Sequence, residues 1–178
     1  MNNLTFDIDT IENTFAVKLK RNTTCLAIDP ASKSGLCLAK TNNKKMTLSV
    51  SFLNVDVRAI KNKQERNELR YSIIAEKLME IITDQDIVSL EDVYYSVNAG
   101  TLILLARIGA IGYTIAKVKK IKKILWNTAV SARKKLGLPC NKKKAVVHAE
   151  FGKKLKLTQV TNPDMIDAIV LAIVGLLE

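Results

Sequence analysis

The sequence contains little histidine, cysteine or proline, with one histidine, three cysteines and three prolines among 178 residues. Cys25, Cys37 and Cys140 show no spacing typical of metal ligands, and two of them fall in predicted strands. We therefore predict small buried hydrophobic side chains in a reducing compartment, which excludes a disulfide scaffold. The N-terminal residues contain no apolar stretch of signal-peptide length, so we expect no secretory address.

Acidic residues are also scarce. The chain has 17 Asp and Glu against 28 Lys and Arg, which gives a formal net charge of +11. This charge favours a polyanionic partner, with nucleic acid as the first candidate and an anionic membrane surface as the second.

Residues 99–118 form an apolar run that raises the question of a membrane span. Arg107 and Lys117 interrupt the run, and three glycines weaken it. We therefore interpret it as a buried or interface helix, with small residues that suit either self-association or an internal role. The chain is of a size for one domain, and its 48% hydrophobic residues suffice for an ordinary core.

The pattern of apolar residues predicts an α/β protein. Residues 23–39 are typical of a β-hairpin with Asp29 at its tip, and a third strand after it makes an antiparallel meander. Residues 1–22 are expected to form an N-terminal extension or edge segment, with a strand around Thr14 to Leu19. The other predicted elements are strands at 46–55, 86–91 and 124–127, and helices at 62–82, 98–118, 142–154 (capped by Asn141) and 162–177.

Carboxylates stand at the ends of two predicted strands. Asp29 ends the apolar run 25–28, and Glu91 ends the run 87–90. A buried carboxylate without a partner is strongly unfavourable, so these positions require a reason. A simpler explanation for Asp29, that it caps its own turn, stays open at this point.

Two further acids lie in the last predicted helix. Asn162 and Pro163 are a helix start signal, which accounts for Asp164 in the first turn. Asp167 lies three residues later on the same face, among apolar residues, and has no such explanation. An acid in that setting either pairs with a base or holds a metal ion.

Convergence of these four acids would require cations among them. Neighbouring strand ends lie about 5 Å apart, so the fold could bring Asp29 and Glu91 together against the last helix. Oxygen ligands with no histidine or thiolate nearby select Mg²⁺ or Mn²⁺ over zinc. Two such ions about 4 Å apart can activate water and stabilise the leaving oxygen in phosphodiester cleavage.

Two basic clusters flank a Gly-Leu-Pro turn at residues 137–139. This arrangement favours contacts with phosphate groups. The clusters consist of Arg133, Lys134 and Lys135, and of Lys142, Lys143 and Lys144.

These segments together resemble a known family, the RuvC-like Holliday junction resolvases of the ribonuclease H-like superfamily. The resemblance runs from about Thr23 to Leu177. Residues 26–32, LAIDPAS, resemble the first catalytic strand, with Ala31 where the family usually has glycine. The other similar segments are residues 90–94 with Asn98, Trp126 with the two basic clusters (as seen especially in bacteriophage members), and residues 162–168, NPDMIDA.

The resemblance implies a fold and a reaction. The fold would be ribonuclease H-like, with a mixed five-stranded sheet of an antiparallel meander plus parallel strands, flanked by helices, in one nuclease domain over residues 1–178. The reaction would be Mg²⁺-dependent cleavage of branched DNA, with Mn²⁺ as a substitute. Two ions per site would be held by Asp29, Glu91, Asp164 and Asp167.

The resemblance also implies roles for the DNA-contacting residues and the assembly. Lys134, and Lys143 or Lys144, would contact phosphate, and Asn98 would lie in the second motif. Tyr94, or its neighbour Tyr95, would stack on an unpaired base, although a packed core tyrosine is an equal alternative. We expect a homodimer that makes paired symmetric nicks, without a membrane or a small-molecule cofactor. It would act in the cytoplasm of a bacterial cell, or of the host if the chain is phage-encoded.

Three other functions compete with this one. A ribonuclease H acting on RNA–DNA hybrid would use the same acids, and a non-catalytic protein that binds branched DNA would use only the basic surface. A sugar-kinase or actin-like ATPase fits poorly, because we find neither a second glycine-rich phosphate loop nor a nucleotide-base pocket.

Overall fold

A mixed β-sheet forms the centre of the molecule, which the computed structural model describes over residues 2–31, 33–93, 98–157 and 162–178. The strands within these residues are β1 (Asn2–Asp7), β2 (Thr24–Asp29), β3 (Lys33–Thr41), β4 (Lys45–Asn54), β5 (Ile87–Glu91) and β6 (Lys123–Asn127). The helices are α1 (Ile8–Phe15), α2 (Lys63–Ile81), α3 (Ala99–Val118), α4 (Ala129–Lys135), α5 (Lys144–Lys154) and α6 (Pro163–Gly175).

The strand order is β1-β4-β3-β2-β5-β6. Strands β2, β3 and β4 form the predicted antiparallel meander, and β5 and β6 add to β2 in parallel. The predicted mixed sheet flanked by helices is therefore confirmed, with six strands instead of five. The additional strand is β1, which pairs antiparallel with β4 at the edge of the sheet.

The prediction for the N-terminal segment was wrong in detail. Residues 14–19 do not form a strand: α1 ends at Phe15, and a turn with Ala16 in the left-handed conformation follows. Ile8, Ile11 and Phe15 recur at helical spacing and are buried, so packing on the sheet favours a helix here. The edge strand of this segment is instead β1, at residues 2–7.

Helices cover both faces of the sheet. On one face, α1, α4, α5 and α6 pack over Cys25 and Ala27 of β2. On the other, α2 and α3 pack over Leu26 and Ile28 of the same strand. Because side chains of a strand alternate between faces, the continuous apolar run of β2 serves both layers.

Two helices differ from the prediction. Helix α5 starts at Lys144 with Lys143 as its N-cap, so the predicted cap Asn141 lies outside it. Helix α4 was not predicted; Thr128 caps it by accepting a hydrogen bond from the Ser131 amide. Its seven residues end in three basic ones, so no apolar periodicity was visible.

Helix α3 is exposed over much of its surface. By length and composition it could cross a membrane. Within the protein, 22% of its apolar window is buried. Its buried residues include Ile108 and Ile115, whereas Ile103 is 50% exposed. A purely internal role is therefore wrong for its outer side, and an interface remains a prediction.

Candidate active site

Two carboxyl groups meet at the ends of adjacent parallel strands. The register pairs Ile28 of β2 with Leu90 of β5, so Asp29 and Glu91 are the next residues on neighbouring strands. Asp29 is only 4% exposed, and its carboxyl group is hydrogen-bonded to that of Glu91. Burial, together with the hydrogen bond to Glu91 and its charge, raises the pKa of Asp29 well above its usual range. Asp29 therefore keeps its proton at neutral pH.

The N-terminus of α6 approaches this pair across Gly35. In the hairpin Gly35 lies directly opposite Asp29. A side chain at Gly35 would place its Cβ 2.7 Å from the carbonyl carbon of Asp164 and still closer to the carbonyl oxygen. The absence of a side chain is what allows α6 to bring Asp164 and Asp167 to the strand ends. Asn162 caps the helix there by accepting a hydrogen bond from the Asp164 amide, as predicted.

We predict that Gly35→Ala displaces α6 from the strand ends. The added methyl group meets backbone, which cannot rotate away, so we expect a loss of about 1–3 kcal/mol in the free energy of unfolding. Thermal or urea unfolding measures it. Gly152→Ala is the matched control, because nothing lies within 4 Å of its added Cβ and alanine favours a helix. Equal stability of the two variants would contradict the close approach.

Asp167 lies at the centre of a cluster of basic side chains. Its Oδ1 accepts hydrogen bonds from Arg133 Nη2 at 3.2 Å and His148 Nε2 at 2.8 Å, and its Oδ2 lies 2.6 Å from Lys144 Nζ. Burial alone would raise the pKa of Asp167, but the hydrogen bonds from His148 and Lys144 outweigh it and lower the pKa to about 2. Asp167 is thus ionised and paired with bases, one of the two alternatives left by the sequence.

Lys144 connects the acids of α6 to the Asp29–Glu91 pair. Its Nζ lies 3.8 Å from Asp164 Oδ1, in addition to the contact with Asp167. Burial lowers the pKa of Lys144, but the hydrogen bond to Asp167 and the charges of Asp167, Asp29 and Asp164 raise it above its usual value. The ammonium group is therefore the cation placed among these carboxylates.

The role of His148 was missed at the level of sequence. The choice of Mg²⁺ or Mn²⁺ over zinc assumed that no histidine was near the acids. That assumption was wrong, because His148 contacts Asp167. The only available signal was that His148, the single histidine, follows Lys144 by four residues and so shares its helix face. In the structure its Nε2 is engaged with Asp167, while its Nδ1 is buried and finds no partner within the described residues.

The acids suit a hard cation by their chemistry, although their present arrangement is in pairs. Within the described ranges, no group of three acidic, histidine or cysteine side chains is already arranged around one ion position. Asp29 holds a proton that a divalent cation can replace, and carboxylate oxygens are the ligands that Mg²⁺ prefers. His148 does not compete as a ligand, because its Nε2 is hydrogen-bonded to Asp167 and its Nδ1 is buried. Asp29 and Glu91, completed by Asp164 and Asp167, would hold such an ion.

Comparison with known proteins assigns the chain to a family. A family model described as crossover junction endodeoxyribonuclease RuvC matches residues 25–175. The chain belongs to the RuvC family. This is a family of endodeoxyribonucleases, hydrolases that act on DNA junctions and generally use divalent metal ions. No curated protein matches the sequence.

Solved structures agree with this RuvC assignment at the level of the fold. A T. thermophilus RuvC in complex with a Holliday junction substrate matches with a TM-score of 0.62 and 15% identity, over 85% of this chain and 91% of that chain. A Thermus thermophilus RuvC structure matches with a TM-score of 0.59 and 16% identity, over 85% and 92%. The yeast mitochondrial Holliday junction resolvase matches with a TM-score of 0.58 and 12% identity, over 93% and 82%. The predicted ribonuclease H-like fold is confirmed.

The structure separates the basic residues predicted to contact DNA in this RuvC-like chain. Arg133 is a correction: it is 8% exposed and faces Asp167, because its position on α4 points towards α6. Lys144 joins the acids, as described above. The remaining members of the two clusters are exposed on α4 and before α5, namely Lys134, Lys135, Lys142 and Lys143.

Some exposed lysines have partners within the chain. Lys135 Nζ donates a hydrogen bond of 2.6 Å to Asn127 Oδ1 at the end of β6, and Lys142 Nζ lies 3.5 Å from Glu150. Asn98 caps α3 by accepting hydrogen bonds from the amides of residues 100 and 101. The predicted stacking residue Tyr94, and its alternative Tyr95, lie outside the described residues.

Proposed function

We propose that this RuvC family member is a structure-selective DNA endonuclease that resolves Holliday junctions and other branched DNA. Its reaction would require Mg²⁺, or Mn²⁺ as a substitute, with two ions bound in each active site. The observation that carries the proposal is the hydrogen-bonded pair of buried Asp29 and partly exposed Glu91 at adjacent strand ends. A buried carboxyl group next to a second acid is costly for folding, and a cation-dependent reaction explains why the chain keeps Asp29 beside Glu91.

The acids and the basic residues around them would have different roles in the reaction. Divalent ions held by Asp29, Glu91, Asp164 and Asp167 would polarise the phosphodiester and supply an activated water. Arg133 and His148 fix the orientation of the Asp167 carboxylate from the buried side. Lys144 is half exposed and contacts both Asp164 and Asp167. It is therefore positioned to contact a phosphate oxygen that approaches these acids.

The test is nicking of a synthetic mobile four-way junction in Mg²⁺, beside linear duplex, Y-shaped DNA and RNA–DNA hybrid. We expect nicks at symmetric positions in two strands of the junction and little cutting of linear duplex or hybrid. Preferential cutting of the hybrid would instead identify a ribonuclease H. Tight junction binding without any nicking in Mg²⁺ or Mn²⁺ would identify a non-catalytic protein.

The outer surface of α3 supports a homodimer as the working assembly. Its exposed residues include Ile103 and Tyr113, and the small side chains of Ala106 and Ala110 lie between them on the same side. Trp126 on the edge strand β6 is 42% exposed and lies against Tyr113, with ring centroids 5.9 Å apart. An apolar surface next to an open strand edge is suited to a second copy, and a twofold dimer presents two sites to a twofold junction.

We predict that Ala110→Glu converts the dimer to a monomer. A charge at the centre of an apolar interface remains without a partner, whereas in a monomer it would be exposed on a helix that tolerates glutamate. Sedimentation equilibrium should show the mass fall by half. Val146→Glu, at an exposed apolar position on α5, should leave the mass unchanged. A wild-type chain that is already monomeric at micromolar concentration would contradict the assembly.

A further inference from the structure

A second basic surface lies at the same end of the sheet as the acids. Helices α2 and α3 both begin there, because α2 follows β4 and α3 follows β5, and β4 and β5 run in the same direction as β2. Between the first halves of the two helices is a groove of about 480 Å³. Its basic lining residues are Lys63, Arg66 and Arg70 from α2 and Arg107 from α3.

The groove is basic where two packed helices would ordinarily be apolar. Lys63, Arg66 and Arg70 recur at spacings of three and four, so they share the face of α2 that turns towards α3. One turn later, Ile74 and Leu78 on this side of α2 pack with Ile108 of α3 in a common core. The helices are therefore held together by their second halves and present charge between their first halves.

Arg70 and Arg107 are placed to bind an anion. Arg70 Nε is buried and has no hydrogen-bond partner within the described residues. Arg70 also lines an adjacent cleft with Lys33 and Arg58, and Lys33 begins β3 four residues after Asp29. The guanidinium of Arg107 lies over the Tyr71 ring, 5.6 Å from its centroid, which holds it at the groove. The basic lining thus extends from α3 towards the end of the sheet where Asp29 and Glu91 lie.

This groove lies in the opposite layer from the lysines of α4 and α5. Helices α4 and α5 pack on the α6 side of the sheet, and α2 and α3 on the other, with Asp29 and Glu91 at the strand ends between the two layers. We propose that the groove between α2 and α3 binds the phosphate backbone of a second DNA arm, while the lysines Lys134 and Lys143 bind the first. This inference rests on the proposed function, since only branched DNA offers two diverging arms to one protomer.

The experiment compares a four-way junction with a linear duplex of the same length, by fluorescence anisotropy in EDTA. In the variant Arg66→Glu/Arg107→Glu we expect the Kd for the junction to rise at least about 10-fold, and the slope of log Kd against log salt to fall by about two. The Kd for the duplex should change less than about threefold. Lys119→Glu, at the far end of α3, is the control and should change neither.

Several outcomes would overturn the inference. A loss on the junction no larger than that of Lys119→Glu would exclude the groove, and equal losses on both DNAs would exclude a second arm. Arg66→Ala/Arg107→Ala, which removes charge without reversing it, should give a smaller loss in the same direction if the fold is intact. Absence of nicking by the wild type would contradict the nuclease proposal but would not affect this comparison of binding. The two failures can therefore be told apart.

Discussion

Asp29→Asn is expected to abolish nicking of the junction while leaving the Kd for the junction within about twofold of wild type. Asparagine keeps the shape of the side chain and can donate a hydrogen bond to Glu91, but it cannot supply a charged oxygen to a divalent ion. Loss of several kcal/mol of charge stabilisation corresponds to about a 10³-fold decrease in rate. Single-turnover nicking and anisotropy measure the two quantities.

The same variant should change how stability depends on pH. The pKa of Asp29 is raised from the usual 3.8, so the folded state retains a proton that the unfolded state releases above about pH 4. This contribution to stability is complete below pH 4 and is lost as pH rises towards the folded-state pKa, by at most about 1.4 kcal/mol per pH unit. In EDTA, Asp29→Asn should therefore gain stability relative to wild type as pH rises from 5 to 8.

Addition of Mg²⁺ should reverse that difference. Only the wild-type chain has a carboxylate at position 29 to bind the ion, so only its Tm should rise with Mg²⁺ concentration. A nicking rate of Asp29→Asn equal to that of the wild type would refute a role for Asp29 in catalysis. A Tm of the wild type that is insensitive to both pH and Mg²⁺ would refute the raised pKa of Asp29 and the replacement of its proton by the ion.

Asp167→Ala is expected to have the largest effect on stability. It would leave Arg133 and His148 buried without their carboxylate partner, and Lys144 without its closest contact. Removing one partner from a buried charge pair costs about 3–5 kcal/mol, which corresponds to a decrease in Tm of about 10 °C for a chain of this size. Urea unfolding and calorimetry measure this loss.

Asp164→Ala is the matched control for that loss. Asp164 lies one turn earlier on α6, is 32% exposed, and contacts Lys144 only at 3.8 Å. We expect a cost below about 1 kcal/mol. The penalty of Asp167→Ala should also shrink as pH falls from 4 towards 2, because the lowered pKa means that the stabilisation by Asp167 is lost on its protonation in that range. Equal Tm values for the two variants would refute a structural role for Asp167.

Local patterns were sufficient for much of the site. Asp29 and Glu91 could be chosen because each ends a short apolar run, and Asp164 because Asn162 and Pro163 mark the start of a helix. Cys25 and Cys37 are buried in β2 and β3, as predicted, whereas the prediction was wrong for Cys140, which is exposed in the turn after α4. These features depend on residues only a few positions apart, and so they can be read from the chain itself.

Other features could not be predicted because their partners are distant in sequence. Arg133 was grouped with the DNA-binding lysines, since nothing near it indicates that α4 turns it towards Asp167, 34 residues away. His148 was overlooked for the same reason. The basic face of α2 received no functional prediction, because its role depends on where α3 lies.

The sequence by itself determined the elements, the acidic residues that end them and the surplus of positive charge, because periodicity, capping and composition act within short stretches of chain. Only the tertiary structure decided which cations those acids meet and which charged faces border a groove. The physical reason is that the energy of a buried charge is set by its neighbours in space, and the sheet order and the close approach of α6 at Gly35 determine those neighbours.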